Sequence, residues 1–106
     1  MATDDLSQLF ARPVFEWDEN KRVANVAKHR IDFADATEAF HDPTADCFLS
    51  PRPGGEQRYV IVGSMQGSLI AVVFTPRRDA IRIISARMAR QTERQRYAAK
   101  AEKKKE

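Results

Sequence analysis

Several side chains in this sequence are of the types that cleave phosphodiesters without a metal ion. They are Lys28, His29, Arg58, Arg82, Arg87, Arg94 and Arg96, accompanied by Tyr97. Arginine and lysine stabilise the charge that develops on phosphate oxygens. Histidine is the default general acid or base because its pKa lies nearest neutral pH, and lysine replaces it where neighbouring cations lower the lysine pKa. The set contains the groups that RNA cleavage through the 2′-hydroxyl needs.

Each of these residues also has an ordinary structural explanation. His29 would end a helix and offset its dipole. Arg58 and Arg87 would pair with acids on neighbouring strands, and Tyr97 would lie at the edge of the core. The residue types alone therefore favour a binding or structural role over nuclease chemistry.

Other common catalytic and nucleotide-binding motifs are missing from the sequence. The 4 glycines form neither a phosphate-binding loop nor a dinucleotide fingerprint, and no serine lies in a G-x-S-x-G motif. His29, His41 and Cys47 lack the spacing of a metal site, so we expect neither metal nor cofactor. We expect Cys47 to be a small buried side chain in a reducing cytoplasm.

Charge is distributed unevenly along the 106 residues. Residues 1–53 carry 10 acids and 6 bases, whereas residues 54–106 carry 5 acids and 12 bases. A basic second half attracts phosphate or an acidic partner, although it also serves simply to keep a small domain dissolved. The longest apolar run, residues 69–74, is too short to span a bilayer, and no secretory signal opens the chain. We therefore expect no membrane partner.

The first half of the chain predicts a strand followed by two helices. Residues 14–17 alternate apolar and acidic side chains, and Asp18 would cap a helix from Glu19 to about His29. The buried face of this helix would carry Val23, Val26 and Ala27, and its outer face Lys21, Asn25 and Lys28. A second helix would begin at Asp32, end at Asp42-Pro43, and bury Phe33, Ala36, Thr37 and Phe40.

The second half predicts four strands and a final helix. The strands cover about residues 45–49, 58–63, 68–75 and 80–86, with a loop over residues 50–57. The strand at 68–75 is apolar on both faces, so we expect it at the centre of the sheet. Thr92 and Gln95 match a capping box for a helix over residues 93–101. The predicted class is α+β, with the order β-α-α-β-β-β-β-α and helices packed on an antiparallel sheet.

The ends of the chain are assigned to flanking segments. Residues 1–13 would form an N-terminal arm in which Leu6, Leu9 and Phe10 make a short, frayed helical turn. Residues 14–101 would form the domain, and residues 102–106 a basic tail.

Three blocks of residues resemble the BrnT toxin family. The first comprises Phe15-Glu16-Trp17-Asp18, Lys21, Asn25, Lys28-His29, Ile31 and Phe33. The second is Arg58-Tyr59-Val60-Ile61-Val62-Gly63, and the third is Ile83-Ile84-Ser85-Ala86-Arg87 with Thr92, Glu93-Arg94 and Tyr97. The blocks occur in order over about residues 14–98.

This resemblance implies the toxin of a type II toxin–antitoxin system. Members of the family are ribonucleases with a RelE-like fold that inhibit translation. The implied partner is a BrnA-like ribbon-helix-helix antitoxin, which neutralises the toxin and carries the complex to operator DNA. The implied products are a 2′,3′-cyclic phosphate or 3′-phosphate and a 5′-hydroxyl.

The resemblance also assigns roles to the residues noted above. Catalysis would involve His29 or Lys28 as base or acid, with Arg58 and Arg87 as a phosphate clamp. The substrate-binding residues would be Lys21, Asn25, Arg82, Arg94 and Tyr97, of which Arg94 would position RNA and Tyr97 would stack on a base or donate a hydrogen bond. Arg30 replaces the family's usual glycine, so it must either adopt a left-handed backbone or end the helix differently.

Two other functions remain as alternatives to the ribonuclease. One is a non-catalytic module that binds an antitoxin and acts mainly in repression of its operon. The other is a nucleic-acid-binding regulator that acts alone, which lacks support because only Arg30-Ile31 separate the first two helices and no glycine turn is present.

Overall fold

The computed structural model describes residues 6–51 and 55–104 and confirms the α+β class. Its helices are α1 (Ser7–Ala11), α2 (Glu19–His29), α3 (Phe33–Ala36) and α4 (Gln91–Lys104), with a 3-10 helix at Thr37–His41. Its strands are β1 (Phe15–Trp17), β2 (Asp46–Leu49), β3 (Tyr59–Met65), β4 (Ser68–Arg77) and β5 (Ala80–Met88). The start of the predicted arm, the centre of the predicted loop and the last residues of the predicted tail lie outside the described residues.

The five strands form one mixed sheet in the order β1-β5-β4-β3-β2. The pairs among β2, β3, β4 and β5 are antiparallel, but β1 pairs in parallel with β5, with Phe15 opposite Ile81. The prediction of an antiparallel sheet is therefore wrong at β1. This strand has no hairpin partner and reaches β5 only after a long excursion of the chain, so local turn signals could not reveal its direction.

Strand β4 lies at the centre of the sheet, as its sequence predicted. Ile70, Ala71 and Val72 alternate between the two faces, and all three are fully buried. The two faces carry separate apolar clusters. A strand can be apolar on both sides only where both faces are covered.

One face of the sheet is covered by the helices of the first half. Phe33 and Phe40 from this layer pack on Ile61, Val72 and other sheet residues. The 3-10 helix approaches β3 so closely that a Cβ atom on Gly63 would lie 2.6 Å from the backbone oxygen of Ala39. A glycine is required here because any side chain would push the two elements apart.

The N-terminal segment adds to the same layer. Leu6, Leu9 and Phe10 pack against the core, and the Phe10 ring lies 5.6 Å from the ring of Phe40 and 6.0 Å from that of Phe74. The short helical turn is confirmed. Its apolar residues dock on the domain because three adjacent aromatic rings bury much area per residue.

Helix α2 turns toward the core the face that was predicted to be exposed. Asn25 is buried with 6% of its surface exposed, whereas Val23 is 54% exposed and Ala27 lies in the open. The prediction of its faces is therefore wrong. Strand β1 ends at Trp17, so among the described residues the backbone of β5 beyond Ile83 has no partner strand on that side. The Asn25 amide replaces the missing strand there by bonding both the N–H and the oxygen of Ala86.

The second helix is divided in two. Asp32 caps α3 by accepting the N–H of Ala34 at 2.9 Å, and the chain then tightens into the 3-10 helix. Phe33, Ala36 and Phe40 are buried as predicted, whereas Thr37 is only half-buried. The prediction of one continuous helix is wrong, and the Thr37 hydroxyl donates to the backbone oxygen of Ala34 where the helix changes type.

Helix α4 begins at Gln91 and continues to Lys104, so it is longer than predicted at both ends. The predicted capping box is misplaced, because Thr92 lies inside the first turn. Glu93 instead accepts the backbone N–H of Arg90, the residue before the helix, at 2.8 Å. A carboxylate at the third helical position reaches back in this way to satisfy a free N–H group.

Arg30 ends α2 in the left-handed conformation, with φ 62° and ψ 28°, and its N–H bonds the oxygen of Val26. This conformation costs a side-chain-bearing residue roughly 1 kcal/mol. We expect Arg30→Gly to raise the free energy of unfolding by up to about 1 kcal/mol, since relief of this strain exceeds the added entropy of the unfolded chain. Urea denaturation would show this, and a loss of stability would contradict it. Lys28→Gly, which places glycine inside the same helix, should instead destabilise the chain by about 1 kcal/mol.

Candidate RNA-binding face

The face of the sheet opposite α3 carries three of the candidate arginines. Arg87 lies opposite Ala71, and Arg82 lies opposite Thr75. Arg58 directly precedes β3 and shares a face with Val60 two residues later, because side chains alternate along a strand. Helix α4 packs on this face over β2 and β3.

A bulge in β5 decides which residues share this face. The register shifts between Val73 and Phe74, so Ser85 lies opposite Val73 while Ile83 lies opposite Phe74. Ile84 is the extra residue, and it brings Arg82, three positions before Ser85, to the same side. We call the surface formed by Arg58, Arg82, Ser85 and Arg87 the arginine face.

The arginine face is more open than the other face of the sheet. Val73 and Ser85 are half-buried, whereas their neighbours Val72 and Ala86 point to the opposite side and are fully inaccessible. Arg58, Arg82 and Arg87 are likewise partly accessible. The surface can therefore receive a ligand from solvent.

Two of these arginines already bind carboxylates within the chain. Arg87 donates to both carboxylate oxygens of Glu93, from Nη1 at 2.8 Å and Nη2 at 2.9 Å. Arg82 donates to Glu16 at 3.0 Å across the parallel pair of strands. Hydrogen bonding to Arg87 holds the pKa of Glu93 below its usual value, against the effect of burial. The predicted structural role of Arg87 is thus present, although its partner lies on α4 rather than on a strand.

Tyr97 points from α4 to Asp42, which follows the 3-10 helix. The hydroxyl donates to Oδ2 of Asp42 at 2.7 Å, and the backbone N–H groups of Thr44 and Ser64 donate to the same carboxylate. Burial, reinforced by the Asp42 contact, raises the pKa of Tyr97 to about 12. Burial by itself would raise the pKa of Asp42, but these hydrogen bonds together lower it. The Tyr97 hydroxyl therefore remains protonated at neutral pH.

Other cations of α4 hold this helix against strand β2 and the residue that precedes it. Arg96 bonds Asp46 at 2.8 Å and lies 4.9 Å from the ring centre of Phe48, and Lys100 donates to the backbone of Ala45. Arg94 lies on the same helix and is also exposed. The basic charge of the second half is thus used partly for internal packing.

Lys28 and His29 lie at the end of α2, the helix that flanks the edge of β5. Lys28 is exposed and His29 is half-buried. Within residues 6–51 and 55–104, no hydrogen bond or ion pair joins either side chain to the arginine face. The structure therefore groups the arginines but does not place the two candidate acid–base residues in contact with them.

Of the two remaining substrate-binding predictions on α2, only Lys21 is accessible. The Asn25 amide nitrogen donates to the backbone oxygens of Ile31 and Ala86, and its oxygen accepts the N–H of Ala86. These bonds use both N–H groups of the buried amide, so Asn25 positions α2 and has no N–H group left for a substrate.

Sequence reasoning missed the carboxylates that orient the arginines. In the sequence Glu16 is the polar position of a strand and Glu93 lies between Thr92 and Gln95 of the capping box; both belong to the family-like blocks, which assign them no role. Their signal in the sequence was weak, because the partner of Glu16 lies 66 positions away. Cys47 is half-buried rather than buried as predicted; it packs against the core, and desolvation raises the pKa of its thiol to about 11.

The described ranges contain no cluster of three potential metal-binding side chains and no helix that could cross a membrane.

Comparison with known proteins confirms the resemblance seen in the sequence. The family model for the ribonuclease toxin BrnT of type II toxin–antitoxin systems matches residues 17–93. No curated protein gives a significant match. The matched region runs from the end of β1 to Glu93 and includes Arg58, Arg82 and Arg87. The chain therefore belongs to the BrnT family of ribonuclease toxins from type II toxin–antitoxin systems.

Proposed function

We propose that the chain is a metal-independent endoribonuclease that binds RNA across the arginine face and inhibits translation. The observation that carries this proposal is the grouping of Arg58, Arg82 and Arg87 on one open face of the sheet. Guanidinium groups bind phosphate oxygens through paired hydrogen bonds and stabilise the charge that develops during cleavage. The order of elements from β1 onward supports a RelE-like arrangement of the fold.

The three arginines should contribute unequally to phosphate binding, because carboxylates pair with some of them. Arg82 and Arg87 are partly neutralised by Glu16 and Glu93, which also hold their guanidinium groups in fixed orientations. Arg58 forms no ion pair within the described parts of the chain, and its charge is one of those that lower the pKa of Glu56. We therefore expect Arg58 to provide most of the phosphate attraction, while Arg94 and Lys21 extend the binding surface.

His29 or Lys28 would act as the general base or acid. RNA bound across β5 would pass the edge that α2 flanks, which would bring the 2′-hydroxyl toward these side chains. The base removes the hydroxyl proton while the oxygen attacks phosphorus, and the acid protonates the departing 5′-oxygen. Tyr97 would contribute its ring rather than a proton, since its pKa is about 12.

Cleavage of RNA by the purified, antitoxin-free chain in EDTA tests the proposal. We expect products ending in a 2′,3′-cyclic phosphate or 3′-phosphate. Arg58→Ala should cleave roughly 30-fold more slowly and His29→Ala roughly 100-fold more slowly, as expected for loss of a phosphate contact and of an acid or base. Arg12→Ala, which removes an exposed arginine just beyond α1, is the matched control and should retain full activity. A strict Mg²⁺ requirement, or equal cleavage by all four proteins, would refute the proposed mechanism.

A second candidate is a non-catalytic module that binds a ribbon-helix-helix antitoxin and acts through repression at operator DNA. The internal pairing of Arg82, Arg87 and Tyr97 favours it, because these groups have partners without any substrate. Folded wild-type protein that leaves RNA intact, together with operator binding by the toxin–antitoxin complex, would support this candidate instead.

A further inference from the structure

The outward side of α2 is apolar, although it faces solvent. Val23 is 54% exposed and Val26 is 36% exposed, and Ala24 and Ala27 are also exposed. These residues follow the spacing of one helical stripe. A helix on the surface of a domain normally turns such a stripe inward. We call this set the α2 stripe.

The orientation of the α2 stripe is fixed from the other side of the helix. Asn25 faces the protein and bonds the backbone of both Ala86 and Ile31, each through its amide nitrogen at 2.9 Å. Rotating the helix to bury the valines would break these bonds and leave buried backbone groups without partners. The exposed valines are therefore a stable feature of the folded chain.

The α2 stripe borders a surface depression. It has a volume of about 420 Å³, and its apolar floor is formed by Val23, Val26 and Ala27. Its wall is the ion pair between Arg22 and Asp32, with Nη1 and Oδ2 2.8 Å apart. A concave apolar surface with a fixed polar wall is suited to an aliphatic or aromatic side chain from a partner.

The charge around the stripe indicates what kind of partner it suits. Lys21, Lys28 and Arg30 are exposed on or at the end of α2, and none forms an ion pair within the described ranges. The nearby acids are already occupied, Asp18 and Asp32 as helix caps and Glu19 as a partner of Arg22. Lys21 and Lys28 lie one helical turn before and after Ala24, so the apolar stripe has uncompensated cations along one side and is complementary to an amphipathic segment with an acidic edge.

We infer that the α2 stripe binds an acidic amphipathic segment of the antitoxin. The inference rests on membership of a type II toxin family, which implies an antitoxin partner, and it deepens the proposed function. Binding there would also cover Lys28 and crowd His29. The antitoxin would thereby neutralise the proposed acid–base end of the site without occupying the arginine face.

The test uses the full-length toxin and the protein encoded by the reading frame that adjoins its gene. Val23→Glu places a charge in the stripe while keeping a good helix former at an exposed position. Leu49→Glu is the matched control, because Leu49 is an apolar residue with 52% exposure on the distant edge strand β2. Affinity is measured by titration calorimetry at low and high salt, and RNA cleavage by each free toxin is measured in parallel.

We expect Val23→Glu to weaken binding roughly 30-fold or more, which is the effect of disrupting an interface hot spot, and Leu49→Glu to change it less than about twofold. Wild-type binding should weaken at high salt. The inference would be overturned if wild type did not bind the antitoxin, or if wild type and Val23→Glu bound it equally well. It would also be overturned if Val23→Glu dissociated toxin dimers without affecting antitoxin binding. Because both variants lie outside the proposed site, their free forms should cleave RNA like wild type. Failure of all three to cleave would refute the ribonuclease mechanism and leave the binding result interpretable.

Discussion

Replacement of Asn25 by alanine should lower the free energy of unfolding by about 4 kcal/mol. The substitution leaves three buried backbone groups without partners, namely both groups of Ala86 and the oxygen of Ile31. Each such group costs roughly 1–3 kcal/mol when water cannot reach it. Because α2 can relax partly after the substitution, we expect the total loss to be smaller than the sum of the three upper limits. Urea denaturation monitored by circular dichroism would measure the loss.

Two other variants show whether the amide itself is responsible. Lys21→Ala removes an exposed side chain from the same helix and should change stability by less than about 0.5 kcal/mol. Asn25→Asp keeps the acceptor for the N–H of Ala86 but faces two carbonyl oxygens with a carboxylate, so it should be nearly as destabilising as Asn25→Ala. A loss below about 1 kcal/mol for Asn25→Ala would show that the amide is not what fixes α2.

The role of Asn25 illustrates where sequence reasoning reaches its limit. Helix caps at Asp18 and Asp32 could be predicted because a cap and its helix are adjacent in the chain. The face of α2 could not, because Asn25 bonds Ala86, 61 positions away. Apolar periodicity assumes that a helix buries its valines, and here a polar residue completes a sheet edge instead.

The sheet shows the same division between local and distant information. The central place of β4 followed from its apolar residues, and its hairpins followed from short turns. The parallel pairing of Phe15 with Ile81 and the bulge at Val73 depend on how distant segments meet. That bulge decides which arginines share a face, so the candidate residues were predictable singly while their grouping was not.

Arg87→Ala should destabilise the chain by about 3 kcal/mol at neutral pH, which affects any test of activity that uses this variant. Glu93 is 9% exposed and Arg87 19% exposed, so removing the arginine leaves a nearly buried carboxylate without its main partner. Breaking a buried ion pair from one side typically costs 3–5 kcal/mol, and the partial exposure of Arg87 places this pair at the lower end. Arg82→Ala is the matched control, because its pair with Glu16 is more exposed and should contribute less than about 1 kcal/mol.

The double variant Arg87→Ala/Glu93→Gln separates the ion pair from the arginine itself. A neutral amide at position 93 still accepts the N–H of Arg90 but leaves no unpaired charge, so the double variant should recover about 1–2 kcal/mol relative to Arg87→Ala. Additive losses from the two substitutions would contradict the importance of the pair. If the double variant folds well and still does not cleave RNA, the loss of activity belongs to the Arg87 guanidinium rather than to stability.

The pH dependence of stability tests the Arg87–Glu93 ion pair independently. The pKa of Glu93 is lowered in the folded chain, chiefly by its hydrogen bond to Arg87, so the pair stabilises the fold above the pKa of the unfolded state. That contribution disappears as pH falls through the folded pKa, because the protonated carboxyl no longer pairs with the arginine. The stability gap between wild type and Arg87→Ala should therefore be widest near pH 7 and narrow in acid. A gap that stays constant down to pH 3 would mean that Arg87 stabilises the chain through packing of its side chain, and that the charge of Glu93 contributes nothing to holding α4 on the sheet.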